Sequence, residues 1–108
     1  MSCNEFTESA YWAGRPVAYK VADAESRGRM VVTGTIIAVG PVSTQWGTSG
    51  RFVLDDATGQ LDLIFLGRPR VIGLSIGTCC TVEGTARLDH HRLVVWNPLY
   101  RIEPAEPA

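Results

Sequence analysis

Several side chains in this 108-residue chain have the types that flat, anionic ligands need. Trp46 stands in a stretch of turn formers, Pro41 to Gly50. His90, His91 and Arg92 follow one another in a second turn-like stretch behind Asp89. Arg68 and Arg70 flank Pro69, and Arg51 lies on a neighbouring segment. Guanidinium groups bind phosphate bidentately, and indole and guanidinium planes stack on nucleobases. Each feature also has a plainer reading. Trp46 could cover one end of a core, and the two histidines could be ordinary turn residues. Nine Arg against one Lys could reflect the base composition of the host genome.

Other chemistries find less support. Asp55, Asp56 and Asp62 are carboxylates of the kind metal-assisted reactions use. Asp56 is better explained by turn chemistry, and the other two have no histidine or serine partner in the pattern. Paired histidines without a nearby cysteine pair are a weak zinc signal. Cys3, Cys79 and Cys80 are odd in number, and adjacent cysteines on a strand point to opposite faces, so they read as small strand residues. There is no nucleophile elbow and no phosphate-cradling G-x-x-x-x-G-K loop. The expectation is a protein that is not an enzyme and needs no cofactor or metal.

Composition bounds the partners. Net charge is −1 and the pI is near 6.1, so the electrostatic signature of a strongly basic nucleic-acid binder is missing. No run of eighteen apolar residues suggests a membrane span. No basic region followed by an apolar core suggests a secretory signal. A reducing, cytoplasmic setting is expected.

The elements that must position these residues are strands. Arg51 to Gly67 reads as a hairpin: Phe52 and Leu54 alternate with Arg51, Val53 and Asp55, Asp56-Ala57-Thr58-Gly59 supplies the turn, and Leu61, Leu63 and Phe65 resume the alternation. Met30 to Gly40 reads as an earlier strand, with Val32, Gly34 and Ile36 inward, a bend at Gly34 and a bulge near Val39. Pro41 to Gly50 reads as a loop, and Pro69 to Leu74 as a single helical turn. Gly77 to Leu88 forms a fourth strand with Cys80, Val82 and Ala86 inward. Leu93 to Ile102 forms a fifth, interrupted at Asn97-Pro98. Before them, residues 1–29 read as an N-terminal extension. It holds a short helix over Glu5 to Ala13 and a helical turn hinted at by Val17, Val21 and Ala24. Tyr11 and Trp12 either pack on the outside of the main domain or form an aromatic arm. Residues 103–108 read as a tail.

Five strands at this spacing predict an all-β, five-stranded OB-fold Greek-key barrel over residues 30–102, with the helical turn between strands three and four. The motifs carry a resemblance. G-x-I at Gly34 to Ile36, F-x-L-x-D-x-T-G at Phe52 to Gly59, L-x-L-x-F at Leu61 to Phe65 and V-E-G at Val82 to Gly84 are similar to OB-fold domains of the anticodon-binding and helicase-wedge type. G-R-P-R-V-I-G-L at Gly67 to Leu74 and V-V-W-N-P-L-Y at Val94 to Tyr100 resemble small stand-alone actinobacterial OB-fold nucleic-acid-binding proteins. The resemblance implies binding of single-stranded or structured nucleic acid, DNA or RNA.

In such a fold, ligand lies across the outer face of strands two and three, between the first and last loops. The expected binding residues are Trp46, Arg51, Arg68, Arg70, His90, His91, Arg92 and Trp96. By alternation the outer face carries Arg51, Val53, Asp55, Asp62 and Ile64, so its carboxylates should oppose phosphates. Trp96 points outward if Leu93 and Val95 point in, as a stacking platform or part of a dimer interface. The competing expectation is a protein-interaction or oligomerising domain, a homodimer or adaptor, using Val53, Ile64, Val94 and Trp96 as an apolar patch.

Overall fold

A computed structural model of the protein describes residues 11–12 and 15–104. The strands, in chain order, are β1 (Tyr11–Trp12), β2 (Arg15–Ala18), β3 (Arg29–Thr44), β4 (Gly47–Asp55), β5 (Gln60–Phe65), β6 (Cys79–Asp89), β7 (Arg92–Trp96) and β8 (Leu99–Ile102). One 3₁₀ turn, Val21–Asp23, precedes β3. This is the turn the Val17, Val21 and Ala24 spacing predicts. Asp56 holds it in place, because its Oδ2 accepts the Val21 N–H at 2.8 Å while its Oδ1 accepts from Thr58 and Gly59.

β3 is long enough to serve three neighbours, with β2 running parallel to its start at Arg29 and Met30. Its first half pairs with β6 and its second with β4, and the register shifts between Ile36 and Ala38. At the handover Gly34 lies against β4. A Cβ there would sit 2.6 Å from the Asp55 carbonyl oxygen, which explains a glycine inside the strand. β4 pairs with β5, β5 runs parallel to β7, β7 pairs with β6, and β6 returns to β3. The chain at Asn97-Pro98 breaks the last strand into β7 and β8, both on β6. Period-two alternation sends Phe52, Leu54, Leu61, Leu63, Phe65, Val82 and Val95 into one core with Met30, Val32 and Ile36. Burying each such side chain stabilises the fold by about 1.5–3 kcal/mol. Phe65 packs edge-on against both Phe52 and Tyr100, with ring centroids 5.5 and 5.7 Å away.

Two expectations are corrected, and a third lies mostly outside the described residues. The segment between β5 and β6 contains hydrogen-bonded turns and no helix. Gly67, Gly73 and Gly77 all take positive φ there, which no helix can absorb. Val71 and Leu74 still bury themselves in the core, as a helical plug would. The stretch Pro41 to Gly50 is not a loop, because β3 and β4 continue through it to a two-residue turn at Gln45-Trp46. The helix over Glu5 to Ala13 lies outside the described residues except at Tyr11 and Trp12, which are extended and pair with Pro16 and Arg15.

Candidate functional site

The outward face of β4, β5 and β7 follows from the register. Its middle row is Val53, Asp62 and Val94, side by side across the three strands. One row toward the β5 C-terminus come Arg51, Ile64 and Trp96. On the opposite side lie Asp55, Gln60 and Arg92. The rows from Arg92 to Trp96 span roughly 13 Å of strand.

Asp62 organises this face. Its side chain is only 6% exposed, and it accepts hydrogen bonds from two guanidinium groups. Arg51 Nε and Nη2 donate to Oδ2 at 3.2 and 3.1 Å. Arg92 Nε donates to Oδ2 at 2.9 Å and Nη2 to Oδ1 at 2.6 Å. Burial alone would raise the carboxyl's pKa; the hydrogen bonds and charges of Arg92 and Arg51 outweigh it and hold the group below its ordinary value. The carboxylate is therefore neutralised twice over. The expected repulsion of phosphates by this face is corrected: the trio carries a net positive charge, and both arginine side chains are 42% exposed. Asp55 is also committed, accepting the Ala57 N–H at 2.7 Å.

The same packing removes the apolar patch. Val53, Ile64 and Val94 are about 5%, 6% and 5% exposed. Arg51 stands opposite Ile64, and Arg87 opposite Val94. Of the four residues expected to form a protein interface, only Trp96 is exposed, at 40%.

The two turns sit at opposite ends of the face. Trp46 is 60% exposed, so it does not close over the core. Its turn is braced from below. Thr44 Oγ1 accepts the Trp46 N–H at 3.2 Å and lies 3.0 Å from the buried Ser49 hydroxyl, which in turn accepts the Gly67 N–H at 2.8 Å. The hairpin tip is thereby tied to the segment that carries Arg68 and Arg70. Gly50 permits the contact, since a Cβ there would meet the Arg68 carbonyl oxygen at 2.5 Å. Both arginines are exposed and, among the described residues, have no carboxylate partner. The Arg68 guanidinium lies 5.9 Å from the Phe65 ring centroid. At the other end His90 and His91 are the two central residues of the β6–β7 turn, with φ of 48° and 69°. They are solvent-exposed, and His90 Nε2 is 3.4 Å from Asp89 Oδ1.

The expected residues thus divide. Trp46, Arg68, Trp96 and Arg51 gather toward the β5 C-terminus, with Arg70 on the adjoining segment. Arg92, His90 and His91 lie at the opposite end, and Asp62 bridges the two through Arg51 and Arg92. Sequence reasoning missed Asp62 as a holder of arginines, although alternation places it on the same face as Arg51. It also missed an open groove of about 510 Å³ between the end of β5 and β8, whose signal was the aromatic and amide content of V-V-W-N-P-L-Y. Elsewhere Cys79 is disulfide-bonded, which corrects its reading as a plain small strand residue, while its neighbour Cys80 is a free, buried thiol. Burial, then Glu103, pushes its pKa up to about 12, which leaves it unreactive at neutral pH.

No family model matches the chain, and no curated protein matches it in sequence. Solved structures do match. The replication factor A related protein of Methanobacterium thermoautotrophicum superposes with a TM-score of 0.63 at 15% identity, over 80% of this chain and 90% of that one. The second OB-fold domain of replication protein A from Methanococcus maripaludis gives 0.64 at 14%, over 84% and 99%. The Stn1–Ten1 complex of S. pombe gives 0.57 at 17%, over 88% and 65%. At these identities the likeness shows the fold: an all-β chain of the OB type.

Proposed function

We propose that this protein is a non-catalytic OB-fold module, with β3 to β7 as its five-stranded barrel, that binds single-stranded nucleic acid across the outward face of β4, β5 and β7. The observation that carries the reading is the Arg51–Asp62–Arg92 trio flanked by exposed Trp46 and Trp96. Arg51, Arg68 and Arg92 contact phosphates, with Arg70 beside them. Trp46 and Trp96 stack bases, each stack contributing roughly 1–3 kcal/mol. His90 and His91 border the path at the far end. The structural neighbours support the reading, as domains from replication protein A and its relatives.

Fluorescence anisotropy of labelled single-stranded DNA and RNA at low and moderate salt tests it, with duplex as a control. Expected is micromolar or tighter binding that weakens with salt, with Trp46→Ala weaker by roughly five-fold or more through the loss of one stack. Absent or salt-independent binding would overturn the reading. The protein-partner alternative would then pass to the exposed apolar residues elsewhere, Ile72, Ile76 and Ile102.

A further inference from the structure

The groove between the C-terminal end of β5 and β8 begins where the outward face stops. Asn97 directly follows Trp96, and the groove's walls are apolar: Phe65, Pro98, Leu99 and Tyr100. Leu99 is 68% exposed. The polar side-chain groups that line it are those of Asn97 and Arg68 and the Tyr100 hydroxyl, which donates to the Ile72 carbonyl at 3.4 Å.

Asn97 is held in an unusual way. Its φ is 49°, the left-handed region, which asparagine tolerates better than most residues. Its backbone N–H donates to the Ile64 carbonyl at 2.7 Å, and its Oδ1 accepts the Leu66 N–H at 2.9 Å. With the oxygen engaged, the Nδ2 amino group is the end left over, and it makes no hydrogen bond to any described residue. Arg68 likewise has no carboxylate partner among them and rests near the Phe65 ring. The groove therefore offers two kinds of side-chain donor above apolar and aromatic walls. The Trp46 tip adjoins it, because a Cβ on Gly67 would lie 3.6 Å from the Trp46 carbonyl oxygen.

We infer that this groove is a nucleobase subsite, selective for bases whose edges present acceptors, at the end of the strand path beyond Trp96. It rests on the single-strand-binding reading above. Guanine O6 and N7 and the carbonyls of thymine or uracil match donors, whereas adenine presents an amino group at the same edge. The volume of about 510 Å³ accommodates a base with its sugar. Positive φ at Asn97 and the bond from Leu66 fix the donor before ligand arrives, which lowers the ordering cost of binding.

The test is an oligothymidylate series in which one thymine at a time is replaced by adenine or by an abasic residue, titrated against the wild type, Asn97→Asp and Arg68→Met. Asn97→Asp keeps the acceptor for the Leu66 N–H and the tolerance of positive φ, and exchanges the donor for a negative charge. Arg68→Met removes the other donor from an exposed position and provides the reading if the first variant does not fold. Expected is one position at which replacement by adenine weakens wild-type binding roughly five- to ten-fold, by the loss of a base hydrogen bond. Both variants should bind unmodified oligothymidylate more weakly, and that position should lose its sensitivity. If wild type binds but no position stands out and Asn97→Asp binds as tightly, the subsite is refuted and the wider reading survives. If wild type binds none of the series, the wider reading fails and the subsite with it.

Discussion

The two hairpin tips at the ends of the outward face differ in how the chain holds them. At Gln45-Trp46 the exposed indole stands on a buried scaffold: Thr44, the fully buried Ser49 hydroxyl and the Gly67 N–H connect the tip to the next loop. At His90-His91 two non-glycine residues take left-handed φ, and among the described residues the pair's side-chain contact is the exposed one to Asp89. Left-handed φ is costly for side chains other than Gly, Asn and Asp. The first tip is built to present one side chain in one place. The second is a connection with left-handed backbone whose side chains stand exposed in solvent. On the proposed reading, geometric specificity belongs at the Trp46 end, with general attraction spread along the arginines between them.

Breaking the braced end should have the largest effect. Gly50→Ala forces a methyl group against the Arg68 and Pro69 carbonyl oxygens. Overpacking of this kind costs about 1–3 kcal/mol, read as a lower urea midpoint at unchanged slope. The variant should also lose most oligonucleotide affinity, because the Trp46 tip and the Arg68 segment separate. Trp46→Ala isolates the side chain from its scaffold. Stability should change by less than about 0.5 kcal/mol for so exposed a residue, while binding falls by roughly 1–3 kcal/mol. A loss of stability comparable to the loss of binding would mean that the indole is structural.

Asp62 links the two ends, and its contribution depends on pH. Its folded pKa lies below the usual carboxylate value, so the unfolded chain takes up the proton first as acid is added. The stabilisation from the trio is fully present above about pH 4 and is lost as pH falls through the folded pKa. Asp62→Asn should be about 2 kcal/mol less stable near neutrality, and its unfolding free energy should fall less steeply below pH 4 than that of wild type. Parallel curves for the two proteins would contradict the assignment. The smallest effect is expected at the loose end. His90→Asn with His91→Gly supplies the residues that a turn with two positive φ values favours, so stability should rise by about 1 kcal/mol. Binding should change less than three-fold. A ten-fold loss would make the histidines specific contacts and erase the distinction between the tips.

The strands were legible because period two is a local signal. Gln60 to Phe65 and the turn at Asp56 to Gly59 were readable from neighbours alone, and so was the break at Asn97-Pro98. The β3–β4 hairpin was misread as a loop because Pro41, Gly47 and Gly50 usually punctuate. Here β3 and β4 stay paired through Pro41↔Gly50 up to a turn just before Gly47. The helical turn after β5 was expected from the architecture, while the local glycines required otherwise. Alternation put Val53, Ile64 and Val94 on the outer face correctly. It could not show that they are buried there, since Arg51 opposite Ile64, Arg87 opposite Val94 and the arginine-bound Asp62 opposite Val53 become visible only once the strands are in register. The V-V-W-N-P-L-Y signal did not suffice to place the groove at Asn97, because the groove joins residues from β5, the segment after it and β8.

The most direct test is a two-dimensional NMR titration of the ¹⁵N-labelled protein with an unstructured oligothymidylate, following backbone amides and the indole N–H groups of Trp46 and Trp96. The account predicts the largest shifts at both indoles, at the Arg51, Ile64 and Asp62 amides, and along Leu66 to Arg68, with smaller ones at His90 and His91. Shifts confined to the Ile72, Ile76 and Ile102 surface, or none, would contradict it.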